Sequence, residues 1–112
     1  MKEYLLVFRA VQGGTKRTPE ESAANMELWK NWIGSIAQTG KFTGGQPLAP
    51  GGRLMSKSGI TDAPFAEGKE VLNGYVMIKA DHFDEAAQLA KACPIFDDNG
   101  TLEIREIAKM DM

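Results

Sequence analysis

Apolar positions repeat with a period near two in three stretches of the chain, and with a period near 3.6 in the two stretches between them. "EYLLVFRA" (Glu3–Ala10) has the length and content of a strand. Tyr4, Leu6 and Phe8 point one way and Leu5 and Val7 the other, so both faces are apolar and both need cover. "VLNGYVMIKA" (Val71–Ala80) reads the same way, with Leu72, Val76 and Ile78 on one face and Asn73, Tyr75, Met77 and Lys79 on the other. "TLEIREI" (Thr101–Ile107) alternates cleanly. Leu102 and Ile104 face in and Glu103 and Arg105 face out, the pattern of an edge strand.

The first helix is announced by "TPEE". Thr18 suits the cap, Pro19 the first helical position, and Glu21 completes a capping box. The helix is predicted over Pro19–Gln38, ending at Gly40, which suits the left-handed position beyond a helix. Met26, Trp29, Trp32, Ile33, Ile36 and Ala37 fall on one face, with Ser22 and Asn25 at its N-terminal end. "DHFDEAAQLAKA" (Asp81–Ala92) predicts a second helix, capped by Asp81 and stopped before Pro94. Its inner face is Phe83, Ala86, Ala87 and Ala90. Residues 41–62 are rich in Gly and Pro, either a long loop or short strands joined by turns. Within them, "RLMS" and "ITD" flank Lys57-Ser58-Gly59 as a small hairpin. Asp97–Gly100 reads as a turn.

The order is β-α-β-β-α-β with an extra short hairpin, an α+β fold of ferredoxin-like arrangement. Two helices cover one face of such a sheet. The other face would expose some of Tyr4, Phe8, Tyr75 and Met77, an unusual patch for a monomer. A twofold homodimer is the simplest cover.

Composition narrows the function. The 112 residues suggest one domain, 1–112, long enough to bury a real core. Hydrophobic residues make up 43% and charged residues 25%, with a net charge of −2 and a pI near 5.4. No basic stripe points to nucleic acid, and no apolar run is long enough to span a bilayer. The apolar run of "MKEYLLVFRA" is too short for a signal peptide and lacks a cleavage site, so a cytoplasmic location is expected. Cys93 is the single cysteine, which suits a reducing compartment.

No candidate chemistry stands out strongly. No carboxylate cluster, HxH or CxxC has metal-ligand spacing, so neither a metal nor a cofactor is expected. The glycines of "TGGQPLAPGG" lack the lysine and helix context of a phosphate loop. His82 is expected exposed in the first turn of the second helix, and Cys93 as a small buried hydrophobe. Neither has the positioned partner that catalysis needs. Glu20 and Glu21 answer the helix dipole. Turn preferences favour Asp62 closing a turn over Asp62 contacting a ligand. Phe65, after Pro64, reads as a plug beneath its loop. Glu67 and Lys69 are placed to pair at the surface.

One stretch resembles a known signature. "TDAPFAEGKEVLNGYVMI" is similar to the Asp-Gly-Pro-Phe motif of the YCII-related (DGPF-domain) family, with Ala63 for the Gly and Gly68 for the following Thr. Asp62, Pro64, Phe65, Ala66, Glu67, Lys69, Glu70 and Gly74 match. "GQPL", "PEE", "DEAAQLAKACP" and "LEIREI" also sit where that family places them, so the likeness spans essentially the whole chain. It implies a dimeric α+β barrel of bacterial origin. Enzymes within the family use a His on the first helix and an Asp before the Pro after the second helix. Here Ser22, Asn25 and Met26 stand in the first region and Cys93 in the second, so the dyad is absent and no catalytic residue is assigned. The expectation is a small organic ligand bound between the first helix and the sheet, lined by Ser22, Asn25, Met26, Trp29, Asp62, Phe65 and Tyr75. One alternative is a slow lyase or isomerase with Asp62 or Glu67 as base. Another is a regulatory partner, since the family is often encoded beside extracytoplasmic sigma factors.

Overall fold

A computed structural model describes residues 1–11, 16–63 and 70–110 of the chain. Strand β1 (Lys2–Val11) leads to helix α1 (Pro19–Gln38) and strand β2 (Phe42–Pro47). A hairpin follows, β3 (Gly52–Ser56) and β4 (Gly59–Ala63). Then come β5 (Glu70–Ala80), α2 (Phe83–Ala90), a 3-10 helix (Pro94–Asp98) and β6 (Thr101–Glu106). β2, β5, β1 and β6 form one antiparallel sheet in that order, with β1 and β5 central. This is the ferredoxin-like order, and it explains why those two strands are apolar on both faces. The Gly- and Pro-rich stretch therefore hides a true edge strand, β2. The hairpin forms a separate two-stranded ribbon, and its residues 52–62 are all exposed.

α1 begins as its sequence dictates. The Glu21 amide donates to Thr18 Oγ1 at 3.1 Å, and the Thr18 amide donates to Glu21 Oε1 at 3.0 Å. That reciprocal box satisfies two amides that the first turn leaves open. It also holds the Glu21 carboxyl below its ordinary value, chiefly through the Thr18 amide. The helix ends before Gly40, whose φ of +77° is the left-handed geometry expected there.

α2 is shorter than predicted and capped by a different residue. Its cap is His82, whose Nδ1 accepts from the Glu85 amide at 3.1 Å. Asp81 lies one residue too early. Its amide instead donates to the Glu85 carboxylate at 3.1 Å, and that carboxylate also receives Lys41 Nζ at 2.8 Å. The Lys41 bond is the main reason the Glu85 carboxyl sits below its ordinary value. Ala86 and Ala90 are buried and let α2 lie close on the sheet, while Ala87 faces out. Phe83 is half exposed, with its ring edge-on to Tyr4 at 5.5 Å.

Both helices lie over the face that carries Tyr4, Leu6 and Phe8 of β1 and Val76 and Ile78 of β5. Trp32 and Ile36 of α1 complete the core, with Cys93 and Ile95 at one end. Tyr4 and Phe8 are thus core residues, and their expected place on the open face is corrected. The residues left open are Leu5 and Val7 of β1 with Tyr75 and Met77 of β5, register partners that are only half-buried. A bulge corrects β5 as well. The register slips between Phe8 and Arg9, so Phe8 pairs with Gly74 while Arg9 pairs with Leu72. The extra residue, Asn73, breaks the alternation, and Leu72 joins the open face, 50% exposed. Beside it Arg9 and Arg105 both donate to Glu103, at 2.7 and 3.2 Å, and hold that carboxyl low, Arg105 most of all.

Candidate functional site

A cavity of about 370 Å³ opens beside α1 on the covered face. Its size falls in the range of small-molecule sites, toward the small end. One stripe of α1 forms a wall, with Asn25, Met26, Trp29, Lys30 and Ile33 at the spacing that brings side chains to one flank. The opposite wall is edge strand β2, from Phe42 to Pro47. Phe8, Gly74 and Val76 lie beneath, and Asn73, Ile95 and Asp98 close one end.

The wall is built around aromatic rings. Phe8 meets Trp29 edge-on at 5.2 Å and Trp32 at 6.0 Å, and the two indoles lie 5.8 Å apart at 80°. Trp32 is the structural member of the pair. It is buried, and its Nε1 donates to the Leu89 carbonyl at 2.9 Å, tying α1 to α2. Trp29 is half-buried and faces the cavity.

Two glycines let the strands beneath come close. A Cβ on Gly45 would stand 2.6 Å from the Tyr75 carbonyl oxygen and 2.9 Å from Val76 Cα. One on Gly74 would meet the Gln46 carbonyl oxygen at 3.2 Å and the Phe8 ring at 3.5 Å. The main chains of β2 and β5 therefore approach closely where the cavity lies. The end near Asp98 is anchored by an ion pair with Arg17, just before α1, both side chains being largely buried.

The nominated residues divide. Asn25, Met26, Trp29 and Tyr75 line the cavity. With Val76 buried beneath the helices, alternation sends the Tyr75 side chain to the open face, where it sits opposite Val7. Ser22 is exposed in the first turn of α1, one turn beyond the lining stripe. Asp62 lies in strand β4 opposite Arg53, exposed, rather than opening a turn. Phe65, Glu67 and Lys69 lie outside the described residues. Phe42, Gln46, Asn73 and Asp98 were not foreseen. Phe42 and Gln46 were masked by the ambiguity of the glycine-rich stretch, and Asn73 by the bulge.

Among the described residues outside the cavity, the one cysteine is not poised for reaction. The Cys93 thiol is 3% exposed, and burial pushes its pKa up to about 12. A thiol so shielded is a poor nucleophile. Among the described residues, no three His, Cys, Asp or Glu side chains gather to hold a metal ion. No described helix is long and apolar enough to cross a membrane.

The fold and this geometry define a small α+β protein with a ligand-sized cavity under its first helix. The YCII-related domain matches residues 3–111, and the chain belongs to that family. No curated protein matches it.

Proposed function

We propose that this YCII-related protein binds a small organic molecule in the cavity beside α1 and works as a homodimer. The observation that carries the first part is Trp29. A tryptophan of a 112-residue chain stands half-buried against a cavity rather than in the core, although its neighbour Trp32 is sealed and hydrogen-bonded. Aromatic walls with a few polar groups are typical of ligand sites. The likeness of "DAPF" to Asp-Gly-Pro-Phe, with Ala63 for the Gly, supports reading the chain as one of that branch of the family.

The second part rests on the open sheet face. Leu5, Val7, Leu72, Tyr75 and Met77 form one apolar band on the two central strands. Charges of both signs flank it, Arg9, Arg105 and Lys79 against Glu3 and Glu103. A face with both signs can complement a copy of itself across a twofold axis. The lyase or isomerase alternative asks for Asp62 or Glu67 as base, and Asp62 stands in the exposed hairpin, apart from the cavity lining.

The test is a titration of small aromatic compounds followed by tryptophan fluorescence, repeated on Trp29→Phe. Saturable quenching that disappears in the variant supports the site. A full panel without any saturable change removes it. Light scattering decides the dimer, and a single species near 12.2 kDa at micromolar concentration refutes it.

A further inference from the structure

Resting on the cavity as a ligand site, we infer its ligand class: a neutral, flat ring whose edge carries both hydrogen-bond donors and acceptors, such as an aryl amide or nitrogen heteroaromatic. A carboxylate or an ammonium ion is disfavoured. Three observations converge on that class.

The first is charge. The cavity lining contains two ionised side chains, Lys30 and Asp98. Asp98 accepts from the Arg17 guanidinium, and both partners are mostly withdrawn from water, so the carboxylate is already compensated. Lys30 is exposed. An exposed ammonium is strongly hydrated and contributes little to a new ion pair. Neither group offers a desolvated charge to pull an ion out of water.

The second is hydrogen-bonding capacity. Asn25 on α1 and Asn73 on β5 bring two carboxamides to the cavity from two different elements, while Gln46, in register with Tyr75, sends its side chain to the open face. Neither Asn25 nor Asn73 is hydrogen-bonded through its side chain to another described residue, nor is the Trp29 indole N–H. Trp32, one helical turn away, shows how the same fold satisfies an indole that it means to seal. Each carboxamide presents two donor hydrogens and one acceptor oxygen. Together with the Trp29 indole N–H, the two groups can meet a ring edge of alternating donors and acceptors from two sides. An ion would satisfy only one half of each amide.

The third is shape. Phe8, Trp29 and Phe42 offer ring faces and edges. Gly45 and Gly74 line the cavity with main chain alone, where β2 and β5 approach closely. That combination suits a flat body against main chain better than a branched or flexible one.

The experiment uses the whole chain and four probes of one size: benzamide, benzoate, benzylammonium and toluene. Binding is read by NMR shifts of the Trp29 indole N–H and of the side-chain amides. Benzamide is expected to bind roughly tenfold tighter than the other three, the scale of one good hydrogen bond made rather than missed. Asn25→Leu, at a position partly open to solvent, should reduce that preference to within about threefold while toluene binding persists, as expected when polar groups rather than the apolar wall discriminate. Asn73→Leu repeats the test at the bulge, and its fold is checked by circular dichroism. Benzoate binding as tightly as benzamide, with the gain lost in Lys30→Met, would overturn the ligand class and leave the cavity as a site. Toluene equal to benzamide overturns the class as well. If no probe moves the Trp29 indole signal, the cavity reading falls and takes the class with it.

Discussion

The two faces of the central sheet are made by the same strands, yet they end differently. On β5, Ile78 is 0% exposed beneath the helices, while its neighbour Met77 remains half open on the far side. On β1, Leu6 is sealed and Leu5 and Val7 are not. Period-two alternation supplies both faces equally, but two helices can close only one. The covered face holds the chain folded at any concentration. The open face is a stock of apolar surface that the described elements leave uncovered, and we propose that a second copy hides it. The hairpin is a third case. Its residues 52–62 are all exposed, with Met55 73% exposed near the tip, and an isolated two-stranded ribbon is only marginally stable by itself.

The contrast can be broken by substitution. Ile78→Ala removes a sealed side chain and should cost about 3 kcal/mol in urea unfolding, equally at low and high protein concentration. A cost near zero would mean that the covered face is not the core. Gly45→Ala pushes a methyl against the Tyr75 and Val76 main chain, which cannot step aside. A loss of about 2 kcal/mol is expected, with weaker binding of any cavity ligand. Met77→Asp should leave the monomer fold intact and raise the dimer dissociation constant more than about tenfold, since it would place an unpaired charge in an apolar interface. A variant as dimeric as the parent would refute the proposed interface.

The smaller effects lie at the edges. Thr18→Ala deletes the cap of α1 and should cost about 1 kcal/mol, seen as a few degrees in the melting temperature. The Glu21, Glu85 and Glu103 carboxyls are all lower when folded than their ordinary 4.5. Their contribution is therefore present above that pH and lost as pH falls through the folded values. Melting temperature should be level from neutral pH to about 5, then decline. Replacing the three with Gln should flatten the decline, and an unchanged slope would show that the bonds to Thr18, Lys41 and the two arginines contribute nothing.

Local signals carried much of the fold. Thr18, Pro19 and Glu21 lie within one turn, so their chemistry is complete in the sequence. Leu102 and Ile104 alternate without interruption, and β6 lies at the edge as that pattern implies. What escaped was set by long-range pairing. Asn73 is an extra residue only relative to β1, so the bulge that turns Leu72 outward has no local mark. Phe42 and Gln46 belong to a strand because β5 pairs with them, against the low strand preference of the glycines around them. Which of the two faces the helices would cover was likewise undecided by alternation alone. The cavity inherits these blind spots, since its walls come from β2 and from the bulge as much as from α1. His82 was legible as exposed but not as a cap, because Asp81 is the stronger capping residue by preference and only the backbone path decides between them.

Cys93 is the protein's one cysteine, sealed in the core with its thiol held protonated to about pH 12. To thiol-directed reagents at neutral pH the chain is therefore blank. A cysteine introduced at exposed Ser56, in the hairpin, becomes the sole labelling handle without any background to remove. In the proposed homodimer, spin labels there would measure a single distance, between the two hairpins, and report directly how two copies sit against each other.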